Sequence, residues 1–242
     1  MKRLIVPAIL LFPPIMLAFW VYWGTTLRQD MAADSAKKTT ADRLEQYGSA
    51  ARARLRPKFE GAKIAYPPAR VIFVGLKEEK VLQVYAANTN QAAAFVASYP
   101  ILAASGKPGP KLREGDQQVP EGIYPIEFLN PNSSFHLSLR LGYPNQFDLD
   151  HARQEGRENL GGDIMIHGGA VSVGCLAVGD EASEDLFVLA ADTGTPNVSV
   201  ILAPYDFRNA AAQMPPVKGL PDWTQALYQT IKSNLNELPL AK

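Results

Sequence analysis

After Lys2 and Arg3, apolar residues run from Leu4 to Trp23 (LIVPAILLFPPIMLAFWVYW). At about 20 residues such a run is long enough to cross a bilayer as a helix. Its charged start stays in the cytoplasm under the positive-inside rule, which puts the chain after Gly24 on the outer face. The run exceeds the ~7–15 apolar residues of a secretory signal, so residues 1–28 are expected to form an uncleaved signal anchor, with a cleaved signal peptide as the alternative. The pattern then changes period. Leu44, Tyr47, Ala51, Leu55 and Phe59 recur at three- and four-residue steps, predicting a helical lead-in over 29–66 that Pro67 and Pro68 end. Val71, Phe73, Val81, Val84 and Tyr85 flank Lys77–Lys80 as two strands about a charged turn, and strand-like runs recur at Phe135–Leu141, Ile164–His167 and Val198–Ala203. Asp180 is placed to cap a helix over Glu181–Ala191 stopping near Gly194. Trp223, Leu227, Ile231 and Leu235 predict an amphipathic helix within 209–242, packed on the domain. Ser105–Pro125 is rich in Gly, Pro and charge, and reads as a functional loop. The reading is one mainly β (α+β) domain over 67–208 with flanking helices.

Composition narrows the partners. The 242 residues carry 24 Lys and Arg against 24 Asp and Glu with no dense basic run, which excludes electrostatic adhesion to nucleic acid and leaves the N-terminal segment as the membrane contact. Cys175 is the sole cysteine, so neither an intramolecular disulfide nor a multi-cysteine metal cluster can form.

The chemistry concentrates in Gly162–Asp180, GDIMIHGGAVSVGCLAVGD. An apolar strand delivers His167, and a tight reversal and return is expected to bring Cys175 into contact with it. An imidazolium beside a thiolate lowers the thiol pKa from ~8.5 towards ~3.5–7.5, so an ionised nucleophile is expected. Gly174 leaves space for a substrate carbonyl, neighbouring backbone N–H groups can hold an oxyanion, and Ser172 can add a hydroxyl donor. Asp163 or a backbone carbonyl can fix the imidazole tautomer.

HGGAVSVGC from His167 to Cys175 resembles the active-site segment of the L,D-transpeptidase (YkuD-type) catalytic domain family. GPKLREGDQQVPEGIYPI, Gly109–Ile126, is similar to that family's segment before the active-site strands, and PNSSFHLSLRLGYPNQFD, Pro131–Asp148, looks like its YafK-like branch. The resemblance covers roughly Arg70–Phe207 and implies a β-sandwich catalytic domain that needs no cofactor. It implies that Cys175 is the nucleophile, His167 the base and Gly168 the source of an orienting carbonyl, with N–H groups of Gly174 and Cys175 forming the oxyanion hole. The implied substrate is the meso-diaminopimelate carbonyl of a peptidoglycan stem peptide, attacked to release D-alanine before an amine accepts the acyl group. His136, Tyr143 and Arg113 are candidate substrate-binding residues, and Lys107, Lys111 and Arg140 candidate partners for stem-peptide carboxylates. His151 is expected to be a solvated loop residue. Two departures stand out: the His–Cys spacing is short, and Ala177 occupies the place of the usual arginine. The YafK-like branch shares both and leans towards hydrolysis that releases an attached amine, such as the lysine of a peptidoglycan-linked lipoprotein. The expected location is the periplasmic side of the inner membrane, or the periplasm if the segment is cleaved.

Two other classes compete. A zinc hydrolase would use the histidines and Cys175 as ligands, but their spacings match no compact zinc motif. A catalytically silent envelope-binding domain is opposed by the presence of both His167 and Cys175.

Overall fold

The computed structural model describes residues 37–209 and 219–241. The expected membrane segment lies outside them, and no helix among the described residues is long and apolar enough to cross a membrane. Helix α1, Thr40–Gly61, starts where Thr39 and Asp42 cap each other's backbone N–H groups, at 3.2 and 2.6 Å. It buries Ala51, Leu55 and Phe59 of the predicted stripe. It ends before Pro67 because the chain turns left-handed at Lys63 (φ 59°).

Strands β1 (Arg70–Leu76) and β2 (Val81–Ala87) form the expected hairpin, and β3 (Ala94–Pro100) extends it. β4 (Ala103–Ala104), β5 (Gly122–Ser133), β6 (His136–Leu141), β7 (Met165–His167), β8 (Leu176–Ala177) and β9 (Val198–Ala203) complete one sheet, ordered β3-β2-β1-β9-β5-β6-β7-β8-β4. The fold is mixed α+β as expected, but a single nine-stranded sheet stands where a two-sheet sandwich was expected, because β5 pairs with strands of both halves. The long β5 joins its halves, pairing with β9 along Gly122–Pro125 and with β6 from Ile126 onwards.

β1 is buried on both faces. Val71 and Phe73 enter one core with Leu55 and Phe59 of α1, while Ile72 and Val74 enter a second. That second core is covered by α4 (Thr224–Asn236) through Leu227, Ile231 and Leu235 of the predicted stripe. Helix α2 (Gln146–Gln154) is capped by Asn145 and Asp148, and α3 (Asp180–Thr193) packs Leu186, Phe187 and Leu189 into the first core. Asp180 is not its cap: Gly179 holds that position without a side-chain bond, and the Asp180 carboxylate serves Gly169 instead. Gly194 ends the helix as expected.

Candidate active site

β7 and β8 run parallel, with Ile166 opposite Leu176 and His167 opposite Ala177. The chain therefore does not make the expected reversal and return; residues 168–175 carry it back to start a second strand in the same direction. One step back in this register sets Cys175 opposite Met165, whose N–H donates to the thiol sulfur at 3.3 Å. His167 and Cys175 then lie one strand across and two residues along, on the order of 8 Å between backbones by strand geometry. Ile166 and Leu176 point into the core, while His167 and Cys175 line one cavity of about 440 Å³.

The imidazole is tightly framed. Nδ1 of His167 lies 2.6 Å from the carbonyl oxygen of Gly168, which can only accept, so Nδ1 carries the proton and Nε2 keeps its lone pair. The Phe135 ring leans on the imidazole, centroids 4.8 Å apart. Gly168 has no room for a side chain: a Cβ there would come within 2.5 Å of Asp180 Oδ1 and 2.8 Å of the Phe135 carbonyl. Asp180 accepts from Gly169 N–H at 2.8 Å, and the His167 carbonyl accepts from Val178 N–H at 2.9 Å. The tautomer is thus set by Gly168, not by Asp163. Asp163 instead meets the other partner, its backbone carbonyl accepting from the thiol at 3.5 Å.

Among the described residues no hydrogen bond joins His167 to Cys175. Burial pushes the thiol above its ordinary value, with the neighbouring Asp163 charge adding to this and the Met165 N–H opposing it. Burial also pushes His167 down, against the bond to Gly168. Both shifts run against the expected thiolate–imidazolium pair and towards a neutral thiol and a neutral imidazole, because burial outweighs the Met165 N–H and Lys111 at the thiol and the Gly168 carbonyl at the imidazole.

Gly174 has φ 82°, a conformation that favours glycine. Its N–H donates to Ser105 Oγ at 2.7 Å, and that hydroxyl donates to the Gln117 carbonyl at 2.6 Å. Cys175 N–H donates more weakly to Ser172 Oγ, at 3.2 Å. The two N–H groups expected to face an oxyanion therefore already hold serine hydroxyls. Ser105 went unread in the sequence, where only the loop that it opens was marked. The loop is anchored at its base, where buried Lys77 pairs with Glu121 at 2.9 Å and Glu121 also accepts from Gly109 N–H and the Tyr228 hydroxyl of α4.

The other candidates lie elsewhere. His136 pairs with Glu184 at 2.9 Å and stacks edge-on with Tyr47, so its neighbour Phe135, not His136, meets His167. Tyr143 is buried, its one hydroxyl proton shared between the Lys111 and Leu160 carbonyls at 3.3 and 3.4 Å. Arg113 lines a different cavity with Lys107, and Lys111 is spent on Asp116 at 2.6 Å. His151 is on α2, stacked 4.7 Å from Trp223, where it was expected in a solvated loop. Among the described residues no group of three or more His, Cys, Asp or Glu side chains is placed to hold a metal ion.

A model of the L,D-transpeptidase catalytic domain matches residues 69–201, a span that contains both His167 and Cys175. The chain belongs to the L,D-transpeptidase catalytic domain family. The Escherichia coli (strain K12) protein named "Putative L,D-transpeptidase YafK" is 33% identical over 139 residues, covering 55% of this chain and 54% of that one. The chain thus spans about half the length of the curated relatives it matches. Among solved structures it is similar to the helical cell shape determining protein Pgp2 of Campylobacter jejuni, with 24% identity and a TM-score of 0.45 over 56% of this chain and 48% of that one. Bd1075 of Bdellovibrio bacteriovorus is 23% identical, with a TM-score of 0.40 over 56% and 48%. In this L,D-transpeptidase domain Ala177 is fully buried in β8 opposite His167, on the strand face that also carries Cys175, so there is no room there for an arginine side chain without rearrangement.

Proposed function

We propose that this domain catalyses cysteine-dependent acyl transfer at meso-diaminopimelate in peptidoglycan stem peptides, on the periplasmic side of the inner membrane. The observation that carries the reading is the 2.6 Å bond from His167 Nδ1 to the Gly168 carbonyl, which leaves Nε2 as a base in the cavity that Cys175 also lines. Nε2 takes the thiol proton as the sulfur attacks the donor carbonyl, so charge separates only when substrate is present. The oxyanion is held by Cys175 N–H, which exchanges its long 3.2 Å bond to Ser172 for the substrate oxygen, and by the Ser172 hydroxyl so released, while the shorter 2.7 Å bond to Ser105 keeps Gly174 N–H engaged. The imidazolium then protonates the departing D-alanine amine, leaving a thioester on Cys175. An incoming amine gives transfer, whereas water gives hydrolysis and frees the donor. The same chemistry on an amide to a lipoprotein lysine releases that amine.

The test is mass spectrometry of the protein incubated with peptidoglycan fragments, some carrying crosslinked peptides and some a lysine-linked remnant, beside a Cys175→Ala variant. New crosslinks lost in the variant support transpeptidation. Amine release without crosslinks favours the hydrolase, and no cysteine-dependent change overturns both.

A further inference from the structure

The cavity at Cys175 has an uneven charge. Among its lining residues Asp163 alone carries a fixed charge; Asn130, Asn132, Ser133 and Ser134 supply neutral polar groups and no lysine or arginine enters. Its carboxylate is 78% exposed, and its backbone carbonyl touches the nucleophilic sulfur. Asp163 shares one guanidinium, Arg140, with Glu127, and both contacts are long at 3.3 Å. Arg140, shared between two carboxylates, neutralises Asp163 only in part, and the Lys111 charge that also acts on Cys175 is paired with Asp116 at 2.6 Å. The Asp163 charge does not fix the imidazole, which Gly168 holds, and beside a thiol it opposes formation of a thiolate. A cation placed on it removes this penalty.

We propose that Asp163 is a specificity-determining residue whose carboxylate takes the primary ammonium group on the side chain of the acyl-donor residue. This rests on the reading that Cys175 is acylated by a diaminopimelate-type donor, whose side chain ends in a free amine beside a carboxylate. The neutral amide and hydroxyl groups of Asn130, Asn132, Ser133 and Ser134 then face that carboxylate without a cation. The donor is favoured over the acceptor on chemical grounds, because an amine held protonated by a carboxylate cannot attack a thioester. Donor binding neutralises Asp163 and so eases thiol ionisation at the moment of attack, coupling recognition to activation.

The experiment measures acylation of Cys175 by intact-protein mass spectrometry with two tetrapeptides, one with the side-chain amine free and one N-acetylated there. Aminolysis of the preformed thioester is followed separately, as is alkylation of the free thiol by iodoacetamide. In the wild-type protein acetylation lowers kcat/KM for acylation by about tenfold or more, the worth of a charged hydrogen bond. Asp163→Asn loses a similar factor with the free-amine donor and nothing further with the acetylated one. Its alkylation without peptide becomes faster while its urea midpoint stays at the wild-type value, which separates loss of the charge from an opening of the site that would also expose the thiol. Undiminished preference for the free amine in Asp163→Asn, or a loss confined to aminolysis, overturns the proposal alone. Absence of acylation by either peptide overturns the underlying reading as well.

Discussion

His167 is oriented by its own chain neighbour: Nδ1 donates to the carbonyl oxygen of Gly168 at 2.6 Å, and Gly168 is wedged between the Asp180 carboxylate and the Phe135 carbonyl. The orienting group is backbone and cannot be deleted by mutation, but it can be displaced. Gly168→Ala puts a Cβ 2.5 Å from Asp180 Oδ1. We expect a stability loss of about 1–3 kcal/mol and a fall in kcat/KM on the order of 100-fold from imidazole misplacement, measured by urea unfolding and acylation kinetics. An active, equally stable variant would show that the contact is slack.

Burial favours the neutral form of both partners, and this gives a pH signature. Burial raises Cys175 above its ordinary 9.0 and lowers His167 below 6.5. Alkylation of the free protein should therefore climb with pH beyond 9.0 without a neutral plateau, and His167→Ala should barely change the profile. Acyl transfer should instead fall only as His167 protonates, below its ordinary 6.5. A fast alkylation plateau under pH 7 that His167→Ala abolishes would reveal a resting ion pair.

Ser105 stands between the loop and the turn before Cys175, accepting from Gly174 N–H and donating to the Gln117 carbonyl. Ser105→Ala strands a half-buried N–H worth about 1–3 kcal/mol. We expect kcat to drop about tenfold with KM little changed, and Ser105→Thr, which keeps the hydroxyl, to restore it. Wild-type kcat in the alanine variant would remove Ser105 from any positioning role.

Further from the chemistry, Glu121 is fully buried and takes Lys77, Gly109 N–H and the Tyr228 hydroxyl together. Glu121→Gln leaves the Lys77 charge buried without its counter-ion, which should cost about 3–5 kcal/mol in urea unfolding. A change within about 0.5 kcal/mol would mean that the carbonyl oxygens around Lys77 suffice.

What the sequence made legible follows from how local each signal is. The α4 stripe and the β1–β2 hairpin rest on residues a few positions apart, and these are where the pattern put them. β1 is covered on both faces, so its run Val71–Leu76 shows no alternation from which its neighbours in the sheet can be read. The His167 and Cys175 pairing stood out because the chain has a single cysteine, but their spacing is the same for a parallel and an antiparallel return. Asp180 looked like a cap because Asp is common there, while the Gly169 N–H that claims it is a tertiary neighbour. Ser105 reaches Gly174 across 69 positions, and no local pattern marks such a serine.

The most direct test of the central claim is to incubate the protein with a stem tetrapeptide lacking an acceptor and to weigh the intact chain. The account predicts an adduct equal to the donor less D-alanine, mapped to Cys175, absent from Cys175→Ala and strongly slowed in His167→Ala. Turnover of peptidoglycan peptides by Cys175→Ala would contradict it.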